Sequence, residues 1–126
     1  MTMTLTPAAK QLVFISRRSP YGSAHARAML DMVLATAVFD QKVTLIFMDD
    51  GVLQLHTNQA AAGIGVKDLC AALGVLPLYD IQKVYVDAQS LQVRGMSQEE
   101  LAIAAEVCDS ARITGLIRDA DVVFTL

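Results

Sequence analysis

The sequence predicts one α/β domain with an open, mostly parallel five-stranded sheet and helices on both faces. Short apolar runs rich in β-branched and aromatic residues alternate with helix-like stretches along the chain. These runs are nearly continuous in apolar residues, which is typical of strands buried on both faces of a parallel sheet. The chain has 126 residues, which suits a single domain with a hydrophobic core of its own.

Five apolar runs are predicted to be strands. The residues before the first run, 1–10, are rich in threonine and predict a flexible tail. The predicted domain therefore covers residues 11–126. In chain order, the predicted strands are Gln11–Ser16, Lys42–Met48, Lys83–Val86, Ala104–Val107 and Asp121–Thr125.

The first predicted helix, Ser23–Phe39, is apolar around most of its circumference. Its polar residues after Ala26 are Arg27, Asp31 and Thr36, and the first two have the i,i+4 spacing of a surface ion pair. A helix with so wide an apolar surface is covered on more than one side. We expect the sheet on one side and a partner subunit on the other.

Three further helices complete the predicted alternation of strands and helices, which favours an open sheet covered on both faces. The second of them has Ser97 as its N-cap and Glu100 in the capping-box position. The three are predicted at Val66–Leu73, from Ser97 onwards, and from Asp109 or Ser110 to Arg118.

Composition excludes several classes of protein. Hydrophobic residues make up 54% of the chain and charged residues 18%, so it is neither disordered nor a basic nucleic-acid arm. A net charge of -3 gives no general attraction to nucleic acid or anionic membranes. No apolar run approaches roughly 18 residues, and the start lacks the pattern of a secretory signal. Two cysteines fit a reducing compartment, so we expect a cytoplasmic protein.

The loop after the first predicted strand has two interpretations. Arg17 and Arg18 precede a helix N-terminus at the carboxyl end of a strand, where an open α/β sheet binds ligands such as anions. However, the loop lacks the glycine and lysine motifs of nucleotide sites. Pro20 and Gly22 favour a simple turn, with Ser23 as the helix N-cap.

Acids and histidines elsewhere form no recognisable metal set. Asp49 and Asp50 follow a strand, but a third ligand at suitable spacing is lacking, so they predict a turn and an N-cap for a segment beginning at Val52. His25 and His56 have no cysteine or histidine at metal-ligand spacing and are interpreted as surface or loop residues. The sequence therefore predicts no metal and no cofactor.

The two cysteines are interpreted as unreactive. Cys70 lies in an apolar predicted helix, where a thiol behaves as a small hydrophobic group. Cys108 precedes a helix, but Glu106 and Asp109 oppose formation of its thiolate.

Several stretches, in a fixed order, carry a family resemblance. They are Arg18–Gly22 (RSPYG), Phe47–Leu55 (FMDDGVLQL), Tyr85–Gly95 (YVDAQSLQVRG) and Asp119–Phe124 (DADVVF). Together they resemble the DsrE/DsrF/DsrH (TusD/TusC/TusB) superfamily over Gln11 to Leu126, and the DsrF/TusC branch most of all. The resemblance implies a DsrEFH-like fold, related to flavodoxin-like and Rossmann-like sheets.

The resemblance also implies a function in an intracellular sulfur relay. The family forms heterohexamers, in which the partners of this chain would be DsrE/TusD-like and DsrH/TusB-like subunits. A DsrC/TusE-like protein would accept the sulfur, for sulfur oxidation or for 2-thiouridine synthesis in tRNA. In the DsrE/TusD-type subunit, a cysteine near the end of the third strand carries sulfur as a persulfide.

Matching Ser90 and Arg94 to the family pattern places Asp87 where that cysteine would stand. Sulfur transfer needs a thiolate nucleophile, so the resemblance implies a non-catalytic subunit that supports its partners, without direct contact with nucleic acid or membrane. Arg17, Arg18 and Tyr21 are predicted to line a pocket near Asp87, because strand carboxyl ends lie together.

Two alternative functions stay open on the sequence. The chain could bind a small ligand or an anion through the Arg17–Ser23 loop. It could also be a homo-oligomeric sulfur carrier that uses Cys108.

Overall fold

The computed structural model describes residues 10–20, 24–39, 41–56, 69 and 71–126. Within them, five strands form one sheet in the order β4-β3-β2-β1-β5. All four pairings are parallel, so the predicted fold class is confirmed. The strands are β1 (Gln11–Ser16), β2 (Lys42–Phe47), β3 (Lys83–Asp87), β4 (Glu106–Cys108) and β5 (Val122–Thr125).

The helices of the described residues are α1 (His25–Ala37), α2 (Ala88–Val93) and α3 (Ser110–Arg118). Residues 69 and 71–73 are also helical, in agreement with the described part of the helix predicted at Val66–Leu73. None of these helices has both the length and the apolar character that a membrane crossing needs, as far as the described residues go. Among the described residues, 3-10 segments lie at Asp49–Leu55, Leu76–Tyr79 and Gln98–Glu100.

Alternate side chains of the central strands enter two separate hydrophobic clusters, as the period of a strand requires. The cluster under α3 is the smaller one and contains Val13, Ile15, Ile46, Tyr85, Cys108 and Ile113. The larger cluster lies on the α1 face, where strand residues pack with Met29, Leu30 and Val33 of α1; its strand members are Leu12, Phe14, Val43, Leu45, Phe47, Val84 and Val86. The sheet is therefore covered on both faces.

Helix α1 is buried along one side only. Ala26, Met29, Leu30 and Val33 are buried, and their spacing is that of a single helical stripe. Met32, on another side, is 39% exposed. The second apolar side is therefore open within this chain, and its burial by a partner subunit stays a prediction.

The prediction of a helix beginning at Ser97 is wrong. The Glu100 carboxylate accepts a hydrogen bond from the Ser97 N–H at 2.8 Å, as a capping box requires, but only one 3-10 turn follows. The chain then leaves the helical path because the Ala102 N–H donates to the Leu55 carbonyl at 2.7 Å. The helix of this connection is α2, which begins immediately after β3.

The last two strands differ in detail from their predictions. Strand β4 begins two residues later than predicted and includes Cys108, so this cysteine lies within the strand. The apolar run of β5 predicts a buried strand, but Val123 and Phe124 are 38% and 36% exposed because β5 forms an edge of the sheet. Phe124 still stacks on Phe14, with ring centroids 4.8 Å apart.

Candidate functional site

A cleft of about 550 Å³ lies at the carboxyl edge of the sheet, between the ends of β2 and β3 and helix α3. Its volume falls within the range of small-ligand sites, roughly 300–1,000 Å³, and its position is where open α/β sheets bind ligands. Its lining combines polar and apolar side chains: Met48, Asp49, Asp87, Gln89, Ser90, Val93, Arg94, Ser110, Ile113, Thr114 and Ile117.

Asp87 is the last residue of β3 and the N-cap of α2, and it is only 8% exposed. Its Oδ2 accepts hydrogen bonds from the Ser90 N–H at 3.1 Å and from the Ser90 hydroxyl at 2.6 Å. The Ser90 Oγ in turn accepts from the Asp49 N–H at 2.8 Å. These bonds fix the carboxylate at the cleft and join the end of β3 to the segment that follows β2.

Asp49 and Asp50 each pair with an arginine from another part of the chain. Asp49 Oδ2 lies 2.7 Å from Arg17 Nε, and Asp50 Oδ1 lies 2.8 Å from Arg94 Nη2. Their predicted role as an N-cap is wrong, because the 3-10 segment begins at Asp49 itself and Met48 occupies the N-cap position. The paired acids serve instead as anchors for the two arginines.

Close backbone packing holds the segment after β2 against the end of β1. A Cβ added at Gly51 would lie 1.9 Å from the Ser16 carbonyl oxygen, so only glycine fits there. Asp49 has a φ of 53°, in the left-handed region that non-glycine residues rarely adopt. The buried Gln54 amide donates to Ser16 Oγ at 2.8 Å and to the Arg18 carbonyl at 2.9 Å.

Two of the predicted pocket residues, Arg17 and Arg18, do not line the cleft. Arg17 is connected to Asp87 through Asp49 and Ser90. The Arg18 side chain is exposed. Tyr21 lies outside the described residues, so the predicted pocket stays a prediction. Residues 1–9 of the predicted tail and Ser23 also lie outside them, and the prediction of Ser23 as a helix N-cap is wrong because Ala24 occupies the N-cap position of α1.

Cys108 stands directly beside Asp87, because the two residues are register partners on β4 and β3. It is 4% exposed, and its Sγ lies 3.5 Å from Glu106 Oε2. Burial raises the pKa of the Cys108 thiol, and Glu106 raises this pKa further, while Arg112 acts in the opposite direction. A protonated buried thiol agrees with the interpretation of Cys108 as unreactive; Cys70 lies outside the described residues.

The two histidines, predicted to be surface or loop residues, lie in different surroundings. His56 is part-buried and its Nε2 lies 2.9 Å from Glu100 Oε2. The pKa of Glu100 is lowered, first by the Ser97 backbone N–H and to a lesser degree by His56. His25 is the first residue of α1. In the described part of the chain, no three histidine, cysteine, aspartate or glutamate residues lie together as a metal site.

Sequence reasoning used Ser90 and Arg94 only to align the family pattern, and it missed the structural roles of Ser90, Arg94 and Gln54 at this edge. For Ser90 a signal existed, because Asp87 precedes it by three residues and an aspartate N-cap accepts from the N–H at that spacing. Gln54 and Arg94 carried no local signal, because their partners lie 38 and 44 residues away.

An open parallel sheet with a ligand-sized cleft at its carboxyl edge defines a small α/β domain of the doubly wound class. The model of the DsrE/DsrF-like family matches residues 10–126. The chain therefore belongs to the DsrE/DsrF-like family, and the resemblance found in its motifs is confirmed.

Individual relatives agree with this assignment. The chain is 37% identical to the intracellular sulfur oxidation protein DsrF of Allochromatium vinosum, over 92% of this chain and 96% of that protein. It is 42% identical to a TusC homologue of Pseudomonas aeruginosa, over 93% of this chain and 98% of that protein. The crystal structure of the E. coli ychN protein has a TM-score of 0.77 at 21% identity, covers 93% of this chain and 99% of its own, and supports the fold.

Proposed function

We propose that this chain is a subunit of an intracellular sulfur-relay complex, serving sulfur oxidation or tRNA thiolation. In this function it supports persulfide transfer by a partner subunit and carries no sulfur itself. The proposal is supported by two relatives, one named an intracellular sulfur oxidation protein DsrF and the other a TusC homologue.

The position of Asp87 carries the non-catalytic part of the proposal. This residue lies at the cleft, at the end of β3, where the family pattern places the sulfur-carrying cysteine of another subunit. A carboxylate cannot form a persulfide, because sulfane sulfur is transferred between sulfur atoms. The hydrogen bonds from Ser90 hold this carboxylate as a fixed part of the cleft wall.

Neither alternative function gains support from the geometry. A sulfur carrier needs an accessible thiolate, whereas Cys108 is buried and its pKa is raised. At the loop after β1, Arg17 is already paired with Asp49, which leaves Arg18, of the two loop arginines, to attract an anion. The supporting role is therefore the function that these residues favour.

The proposal includes partners for the exposed apolar side chains. Met32, Val38 and Phe39 are 39%, 64% and 70% exposed, and exposed apolar side chains along and just after one helix favour an interaction surface there. We assign these surfaces to DsrE/TusD-like and DsrH/TusB-like subunits in a cytoplasmic heterohexamer. A DsrC/TusE-like protein is the proposed acceptor of sulfur from the complex.

The test is the native mass of the complex that the tagged full-length chain retains from its own cells. The expected result is a 2:2:2 assembly with two homologous small chains. The complex is then loaded with a sulfur donor, alkylated and analysed by peptide mass. A persulfide is expected on a partner cysteine.

The matched control is the Cys70→Ser/Cys108→Ser double variant, which should assemble and relay sulfur as the natural chain does. A homo-oligomer, or a persulfide on Cys108, would overturn the proposal. Loss of relay in an intact complex of the double variant would contradict it as well.

A further inference from the structure

Among the charged side chains of the described residues at the cleft, Asp87 is distinctive because it has no cationic partner. Asp49 is paired with Arg17, and Arg94 is paired with Asp50. Ser90 supplies both hydrogen bonds to Asp87, and both go to Oδ2. Within the described residues, no group donates to Oδ1 and no cation balances this carboxylate.

The burial of Asp87 makes that imbalance significant. The exposed fraction of Asp87 is only 8%. An ionised carboxylate can accept about four hydrogen bonds. Burying a charge is costly unless it is paired or fully hydrogen-bonded. A cation that entered the cleft would supply both the missing charge and the missing donor.

The walls of the cleft indicate the shape of the group that carries the charge. Four apolar side chains line the space, one from the residue after β2, one from α2 and two from α3: Met48, Val93, Ile113 and Ile117. Ser110 and Thr114 of α3 add hydroxyls to the same lining. Val93 is 72% exposed, which gives the cleft an apolar rim. An alkyl chain would contact these walls while its polar end reached Asp87.

Arg94 also lines the cleft, but its charge is already balanced. Its Nε and Nη2 contact Asp50 Oδ1 at 3.2 and 2.8 Å, and its Nη1 donates to the Ser90 carbonyl at 3.1 Å. An incoming cation therefore meets a neutral pair at this wall. An incoming anion would have to displace Asp50 from Arg94 and would also face Asp87.

We propose that the cleft binds an alkyl chain ending in an ammonium or guanidinium group, with the cationic end against Asp87 Oδ1. A free amine and a lysine or arginine side chain of another protein share this chemistry. The inference goes beyond the sulfur-relay proposal and does not depend on it, since it concerns only charges within this chain.

The test is a titration of the isotope-labelled full-length chain with n-butylammonium chloride at constant ionic strength, followed through backbone amide resonances. Saturable shifts are expected at Asp87, Ser90 and Thr114. In the Asp87→Asn variant, affinity should fall at least about tenfold, as expected for loss of a hydrogen bond to a charged group. Asparagine is also a good N-cap, so this variant should keep α2.

The matched control is Asp31→Asn, which removes a carboxylate from α1 that pairs with Arg27 away from the cleft. Its affinity for n-butylammonium should be unchanged. A blocked tripeptide with a central lysine identifies the source: binding of the peptide as well assigns a protein side chain, and binding of n-butylammonium alone assigns a free amine.

Three results would overturn the proposal: no saturable shift with either probe, equal affinity in the Asp87→Asn variant, or saturable binding of acetate in place of the ammonium. None of them bears on complex assembly, which is measured separately by native mass. The two proposals can therefore fail independently.

Discussion

The end of β3 is held by residues from distant parts of the chain, whereas the neighbouring β4–α3 corner is held by residues close in sequence. Long-range bonds beside the β3 end join Ser90 to Asp49 and Arg94 to Asp50, across 41 and 44 residues. At the corner, Asp109 caps α3 through the Arg112 N–H, three residues away. Ser90 holds the Asp87 carboxylate from three residues away, and Ser90 is itself bonded to the Asp49 N–H from 41 residues away. A local cap is therefore reinforced by a distant segment at Asp87, whereas the bond by which Asp109 caps α3 is local.

The largest expected difference between the two regions concerns their glycines. Gly51→Ala should lower the free energy of unfolding by at least about 3 kcal/mol, because the new Cβ would meet the Ser16 carbonyl. Gly115→Ala in α3 should raise it by about 0.5–1 kcal/mol, since the nearest atom is a flexible Arg118 nitrogen at 3.9 Å. Urea unfolding of both variants measures the difference, and equal effects would show that the backbone packing at Gly51 imposes no steric constraint.

The two aspartate N-caps give a smaller contrast. Asp87→Ala should cost about 2–3 kcal/mol, because it removes a cap and leaves the buried Ser90 hydroxyl without its acceptor. Asp109→Ala removes an exposed cap with one bond and should cost about 1 kcal/mol. Both values come from the same unfolding experiment. A cost for Asp109→Ala as large as that for Asp87→Ala would show that the long-range network adds nothing.

A still smaller change is expected in the alkylation rate of Cys108 when Glu106 is replaced. Burial and Glu106 raise the pKa of this thiol, so alkylation at neutral pH should be slow and should accelerate as the pH rises towards that pKa. Glu106→Gln removes a negative charge and should therefore lower the pKa and speed alkylation. The gain should stay below about tenfold, because the carboxylate is largely exposed and such pairs contribute at most roughly 1 kcal/mol.

Mass analysis of the peptide that contains Cys108 follows this reaction separately from Cys70. Glu99→Gln is the control, because Glu99 is an exposed acid on another segment, and its rate should match that of the natural chain. A slower reaction in Glu106→Gln would contradict the assigned direction of the shift.

The sheet was predictable because its signals are local. The apolar runs of β1 and β2 and the cap of α3 identified these elements from the sequence, since burial and capping leave a mark within a few residues. The helix prediction at Ser97 failed for the same reason. The capping motif forms, but the hydrogen bond from the Ala102 N–H to the Leu55 carbonyl, 47 residues earlier in the chain, ends the turn. A local motif cannot reveal such a competing partner.

The candidate site was less predictable than the fold. Asp87 was found only through the family resemblance, because an aspartate at a strand end has no distinguishing pattern of its own. The pairing of Asp49 with Arg17 and of Asp50 with Arg94 spans 32 and 44 residues, so no spacing in the sequence encodes it. The cleft itself arises from the relative placement of β2, β3 and α3, which only the folded chain defines.

The strand order also has a consequence for how the protein is made. β1 is the first strand along the chain, yet one of its two neighbours, β5, is the last, and Asp121 before β5 accepts from the Gln11 N–H across 110 residues. During synthesis, β1 therefore cannot pair with β5 until nearly the whole chain has emerged from the ribosome. Such non-local parallel pairing slows folding and leaves strand edges open to other chains in the meantime.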